Sequence, residues 1–107
     1  MNWDIEFLPE AADDLKKLDG SVRPQVLKGI QKVSQNPLPE GGYGKPLGNR
    51  PEADLSGLMK IKFKKIGIRV VYKTEIVKGV MKIIIISARV DNRVYEEAEK
   101  RRKKYDL

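Results

Sequence analysis

Residues 2–8 alternate, with Trp3, Ile5 and Phe7 set against Asn2, Asp4 and Glu6. A period of two built from aromatic and β-branched residues predicts a strand with one wet face. Pro9 then opens a helix at the position where its missing N–H does no harm. Ala11, Leu15 and Leu18 form its apolar stripe, and Asp13 and Asp14 precede Lys16 and Lys17 in the order the helix dipole favours. Asp19-Gly20 ends it. Ser21 predicts the N-cap of a second helix, in which Val22, Val26, Ile30 and Val33 recur at helical spacing until Asn36-Pro37 stops it. The two helices predict a hairpin lying on a sheet.

Residues 37–51 hold 8 Gly or Pro in 15 positions, which predicts a loop and not a domain linker, since neither flank is large enough to fold alone; an ordered surface loop is the first reading and a functional lid the second. Leu58 to Lys64 alternates again: Met59, Ile61 and Phe63 point one way, and Lys60, Lys62 and Lys64 the other. Gly67 marks a turn, Ile68 to Lys73 a strand, and Thr74 to Gly79 a further turn. Val80 to Ser87 is apolar on both faces at its centre, as a buried interior strand requires. Short connections make these three strands an antiparallel meander. Arg93 to Lys104 reads as a terminal helix carrying Glu96–Lys100, Glu97–Arg101 and Glu99–Lys103 at the favourable i,i+4 spacing. The fold class that follows is α+β in one domain over residues 1–107: an N-terminal strand and two-helix hairpin packed on an antiparallel sheet, with a C-terminal helix.

Composition narrows the chemistry. The 107 residues include no Cys and no His. Disulfides, thiolate metal sites, thiol nucleophiles and every His-based catalytic dyad are thereby excluded. No carboxylates group in a metal-like pattern, and no phosphate-binding Gly loop occurs, so neither cofactor nor metal is expected. The longest strictly apolar run is Ile83–Ile86, far too short to span a bilayer, and the N-terminus lacks a secretory pattern. The expectation is a cytoplasmic protein without a membrane partner.

Charge is unevenly spread. Residues 1–54 carry 7 basic and 9 acidic groups, and residues 55–107 carry 15 basic and 6 acidic ones. A polyanion or an acidic partner would meet the second half. There, Lys60-x-Lys62-x-Lys64 places cations on one face of one strand at intervals of about 6–7 Å. Such a row can follow a phosphate backbone. It equally suits an edge strand guarded by lysines against pairing. Arg69 lies on the next strand, Arg89 follows the third, and Arg93 and Tyr95 open the last helix. A meander brings strand ends together, so these groups could converge. Arg69 could instead pair with a carboxylate, Tyr95 could be a core ring with its hydroxyl at the surface, and Lys100–Lys104 reads first as a solvated helix face.

Three segments, 54–63 (DLSGLMKIKF), 67–72 (GIRVVY) and 87–95 (SARVDNRVY), taken in their order and spacing, resemble the RelE/ParE superfamily of bacterial and archaeal toxins of type II toxin–antitoxin systems, on the RelE branch. The resemblance covers nearly the whole chain. It implies a metal-independent endoribonuclease that cuts mRNA, typically in the ribosomal A site, and so inhibits translation. It also implies a cognate acidic antitoxin, with the toxin alone a monomer and the pair a hetero-oligomer. By position the family's active groups correspond to Lys60, Lys62, Arg69, Arg89 and Tyr95. The interval from the last strand to the tyrosine is shorter here than in the founding member, which leaves Arg93 a rival to Arg89. Lys64, Lys65, Arg93, Arg101 and Lys104 are the basic surroundings that would meet RNA and ribosome. Within this scheme Lys62 and Arg69 clamp the phosphate, Arg89 serves the leaving oxygen, and Lys60 or Tyr95 handles the 2′-OH. Like-charged neighbours are expected to lower the Lys60 pKa. Two other readings fit the same chain: a ParE-like gyrase poison, and a non-catalytic RNA- or ribosome-binding module.

Overall fold

The computed structural model describes residues 3–48, 53–88 and 93–107. The elements are β1 (Asp4–Phe7), α1 (Pro9–Lys17), α2 (Arg23–Val33), β2 (Lys45–Pro46), β3 (Met59–Phe63), β4 (Ile68–Glu75), β5 (Val80–Ser87) and α3 (Arg93–Lys104). One sheet orders them β1-β5-β4-β3-β2. The β3–β4–β5 meander is antiparallel, as its short turns demand. The α+β class holds, with one change of detail. The first strand does not merely pack on the sheet but joins it, parallel to β5, with Asp4 opposite Val80 and Phe7 opposite Ile83. The long connection that a parallel neighbour needs is supplied by the α1–α2 hairpin together with β2, β3 and β4.

Two local expectations are corrected. Ser21 does not cap α2: the N-cap is Val22, without a side-chain hydrogen bond. Ser21 instead donates its backbone N–H to Asp19 Oδ1 at 3.1 Å, so the aspartate tightens the inter-helix turn. The Gly/Pro-rich loop contains a strand, β2, which pairs antiparallel with the start of β3. Pro46 is tolerated because this strand is the sheet's edge.

Residues directly opposite across a ladder share a face. Met59–Tyr72, Ile61–Val70 and Phe63–Ile68 therefore form one face, and Lys60–Val71 and Lys62–Arg69 the other. α2 covers the first. A Cβ on Gly29 would come within 2.4 Å of the Phe63 ring, so only glycine lets helix and strand approach this closely. Tyr72 is fully buried and its hydroxyl donates to the Pro37 carbonyl at 2.9 Å, tying the loop entrance to the core. Desolvation pushes that phenol well above its ordinary range.

β5 outruns its parallel neighbour. β1 pairs only as far as Ile83, and a register shift between Val71 and Tyr72 leaves Ile84 without an opposite residue. Two side chains complete this edge. Ile86 N–H donates to Asp14 Oδ2 at 3.1 Å, and Arg101 Nη1 donates to the Ile84 carbonyl at 3.0 Å and to Asp14 Oδ2 at 2.6 Å. Arg101 also donates to Glu97 at 3.1 Å. An ion pair from α1 and α3 thus stands where a strand would be, and it locks both helices to β5.

Removing one partner of a part-buried, hydrogen-bonded pair strands the other. Arg101→Ala is expected to cost about 2–3 kcal/mol of stability in urea unfolding. Lys104→Ala, at an exposed pair, should move the midpoint far less. Equal shifts would show that the Asp14–Arg101 pair does not hold the edge.

Candidate active site

The β3–β4 ladder sets Lys62 opposite Arg69, and the β2–β3 ladder sets Lys45 opposite Lys60. Four cations thus share one end of the sheet, on the face away from α2. Folding alone disfavours like charges in directly opposed positions. At the other end of the same face charge is compensated: Lys82 lies 3.2 Å from Glu6 and 4.0 Å from Glu75. Among the described residues, no carboxylate forms an ion pair with Lys60, Lys62, Lys64, Lys65 or Arg69.

α3 covers the adjoining surface with Val94, Tyr95 and Ala98. Arg69 Nη1 donates to the Tyr95 hydroxyl oxygen at 2.7 Å. The phenol ring is buried and fixed by packing, so the hydroxyl gives the guanidinium a set orientation. The rest of the fork can then point at an anion.

The crowding has a measurable consequence at Lys62. Its ammonium is held below the ordinary lysine range, first by the charge of Lys60, then by Arg69, with a lesser part from desolvation. Lys62 is the lysine with a like charge on either side, Lys60 along the strand and Arg69 across the ladder.

The other expected residues divide. Lys64 joins Lys62 and Arg69 around a shallow depression of about 200 Å³, and Lys65 is exposed in the adjoining turn. Arg93 lines a larger cavity of about 510 Å³ between α1, β5 and α3, together with Ser87, the residue paired with Arg69 across the sheet. Arg89 lies outside the described residues. Arg101 and Lys104 are not brought to the cluster. Arg101 is bound to Asp14 and Glu97, and Lys104 lies 2.9 Å from Glu10 and over the Tyr105 ring. Lys45 was missed because its segment reads as loop; the signal was the Lys-Pro pair itself, which suits a sheet edge. Among the described residues, no three His, Cys, Asp or Glu side chains gather where they could hold a metal ion, and no helix is long and apolar enough to cross a membrane.

The small α+β sheet that carries this cluster is a RelE-type fold, as solved structures show. No protein-family model matches the sequence, and no curated protein does. A double arginine-to-alanine variant of the Escherichia coli toxin RelE, in the free state, is 30% identical with a TM-score of 0.76, over 94% of this chain and 98% of that one. The same variant in complex with an antitoxin RelBc peptide is 28% identical with a TM-score of 0.69, over 92% and 95%. The RelBE2 toxin–antitoxin complex of Mycobacterium tuberculosis shares the fold at 24% identity and a TM-score of 0.68, over 85% and 95%. The chain belongs to the RelE toxin family.

The electrostatics can be read directly. An NMR titration of the Lys62 ammonium should give a midpoint below that of an ordinary lysine. Lys60→Ala should move the midpoint up, because Lys60 is the largest cause of the lowering. An unchanged midpoint in the variant would mean that the two lysines are not coupled.

Proposed function

We propose that this chain is the toxin of a type II toxin–antitoxin pair and an endoribonuclease acting on mRNA. The observation that carries this reading is the uncompensated trio Lys60, Lys62 and Arg69, set by strand register beside Tyr95. A cleaving step uses the RNA's own nucleophile. The 2′-oxygen attacks the adjacent phosphorus and its proton passes to a base. The bond from phosphorus to the 5′-oxygen breaks, and the leaving oxygen takes up a proton. The products are a 2′,3′-cyclic phosphate and a free 5′-OH. Negative charge collects on the phosphate oxygens in the transition state, where fixed cations stabilise it most.

Lys62, set opposite Arg69 and held below the ordinary lysine range by the charges of Lys60 and Arg69, takes the base role in this scheme. Arg69, braced by Tyr95, presents a planar fork to the phosphate oxygens, a geometry that a lysine does not reproduce. Lys60 supplies a second cation. Arg89 or Arg93 serves the leaving oxygen. Without histidine this is a modest acid–base set, so positioning of the RNA has to supply much of the rate. Action on mRNA held in the ribosomal A site fits that demand, and Lys64 and Lys65 extend the cationic surface toward it. The solved relatives bound to RelB-type antitoxins support a cognate partner for this chain too. An acidic antitoxin would be drawn to the same cations.

An RNA with deoxyribose at the scissile nucleotide should be inert. Cleavage at an undiminished rate would remove 2′-OH attack. Arg69→Ala should lower cleavage by about 100- to 1000-fold with the fold retained, and Arg69→Lys should restore little of it. Full activity in either variant would take Arg69 out of the chemistry.

A further inference from the structure

A groove of about 320 Å³ opens beside the cation cluster, at the outer edge of β3. Its apolar floor is Gly29, Val33, Ile61 and Phe63, and its rim carries Lys32, Lys45, Lys60 and Lys62 with Tyr43. Among the described residues, no acidic side chain lines it. Lys60 and Lys62 belong both to this groove and to the candidate active site, so the two are continuous. Tyr43 is the one aromatic among the exposed large hydrophobic residues, at 43% exposure. The Lys32 ammonium sits 5.4 Å from its ring centroid, a cation–π contact.

An exposed ring, lysines around it and an apolar floor form the combination that binds single-stranded nucleic acid. The ring offers a π-face to a base, and the ammonium groups follow the phosphates. The loop that delivers Tyr43 is built to keep it there. Tyr43 N–H donates to the Asn36 carbonyl at 2.8 Å, and a Cβ on Gly44 would come within 2.5 Å of the Pro37 carbonyl, so the chain is pressed against the segment that follows α2. The next strand residue, Lys45, lies opposite Lys60. The sequence is therefore ring, then cation, then active-site cation.

We propose that Tyr43, Lys32 and Lys45 form a binding subsite for an unpaired nucleotide of the RNA strand flanking the scissile phosphate, with its base stacked on Tyr43. This rests on the RNA-cleaving reading and adds to it a substrate contact outside the chemistry. Stacking of this kind tolerates any base, so the subsite would add affinity and register without reading sequence.

The test uses the full chain and a fluorescent hexanucleotide RNA, 2′-O-methylated throughout so that it cannot be cut by 2′-OH attack. Binding is followed by anisotropy at low salt. Tyr43→Leu should weaken binding about tenfold, Tyr43→Phe should leave it near wild type, and Lys32→Ala should fall between. Equal hexanucleotide binding by wild type and Tyr43→Leu would overturn the subsite and leave the nuclease reading standing. An acidic peptide whose binding depends on Tyr43, while the RNA's does not, would assign the groove to a protein partner and overturn it too. Failure of the wild type to bind any RNA would overturn the subsite, and the deoxyribose experiment would separately decide the fate of the cleavage reading.

Discussion

The placement of Lys62 directly across from Arg69 is the constraint on which the rest of the molecule turns. Two like charges in opposed ladder positions oppose folding, and Lys60 beside them adds to the strain. The register is held from beneath. Phe63 lies against Gly29 of α2, and Tyr72 is buried whole and anchored to Pro37. A slip of one residue would expose this apolar set and bury the lysines, so core packing forces the cations together. From above, Tyr95 meets Arg69 and turns a repelling charge into an aimed one.

Tyr95 can do so only if α3 is fixed, and α3 is held by unusually polar means. The Asp14–Arg101 pair takes over the hydrogen bonds of β5 where β1 has ended. Farther along, Arg102 donates to the Ser56 carbonyl at 2.6 Å, Glu99 accepts from the Asp54 backbone, and Tyr105 donates to Glu10 at 2.7 Å. These bonds join the first helix, the segment before β3 and the last helix around one end of the sheet. Several basic residues of the second half are therefore structural. What separates them from the cluster is the presence of carboxylates nearby.

That division explains what could be read from the chain beforehand. Alternation in 58–64 and the apolar 80–87 run announced β3 and β5, because a period of two survives any tertiary arrangement. The convergence of Lys60, Lys62, Arg69 and Tyr95 followed from a meander with short turns. The place of Arg101 was not legible because its i,i+4 glutamate looks like surface charge; its other partner, Asp14, is distant in sequence and is met only once β5 outruns β1. Lys45 and Tyr43 were hidden in a Gly/Pro-rich stretch, where two residues of edge strand leave no periodic trace. The parallel pairing of β1 was equally silent, since alternation says nothing of direction.

If the cations are gathered for chemistry and not for folding, the cluster should weaken the protein it serves. A depressed lysine pKa in the folded state means that the charged form is disfavoured there. The penalty is present below the folded pKa and disappears as pH rises past the unfolded value. The direct measurement is urea unfolding of Lys62→Met at neutral pH, paired with RNA cleavage by the same preparation. A higher unfolding midpoint together with lost cleavage is the predicted result. A lower midpoint, or cleavage that survives, would contradict it.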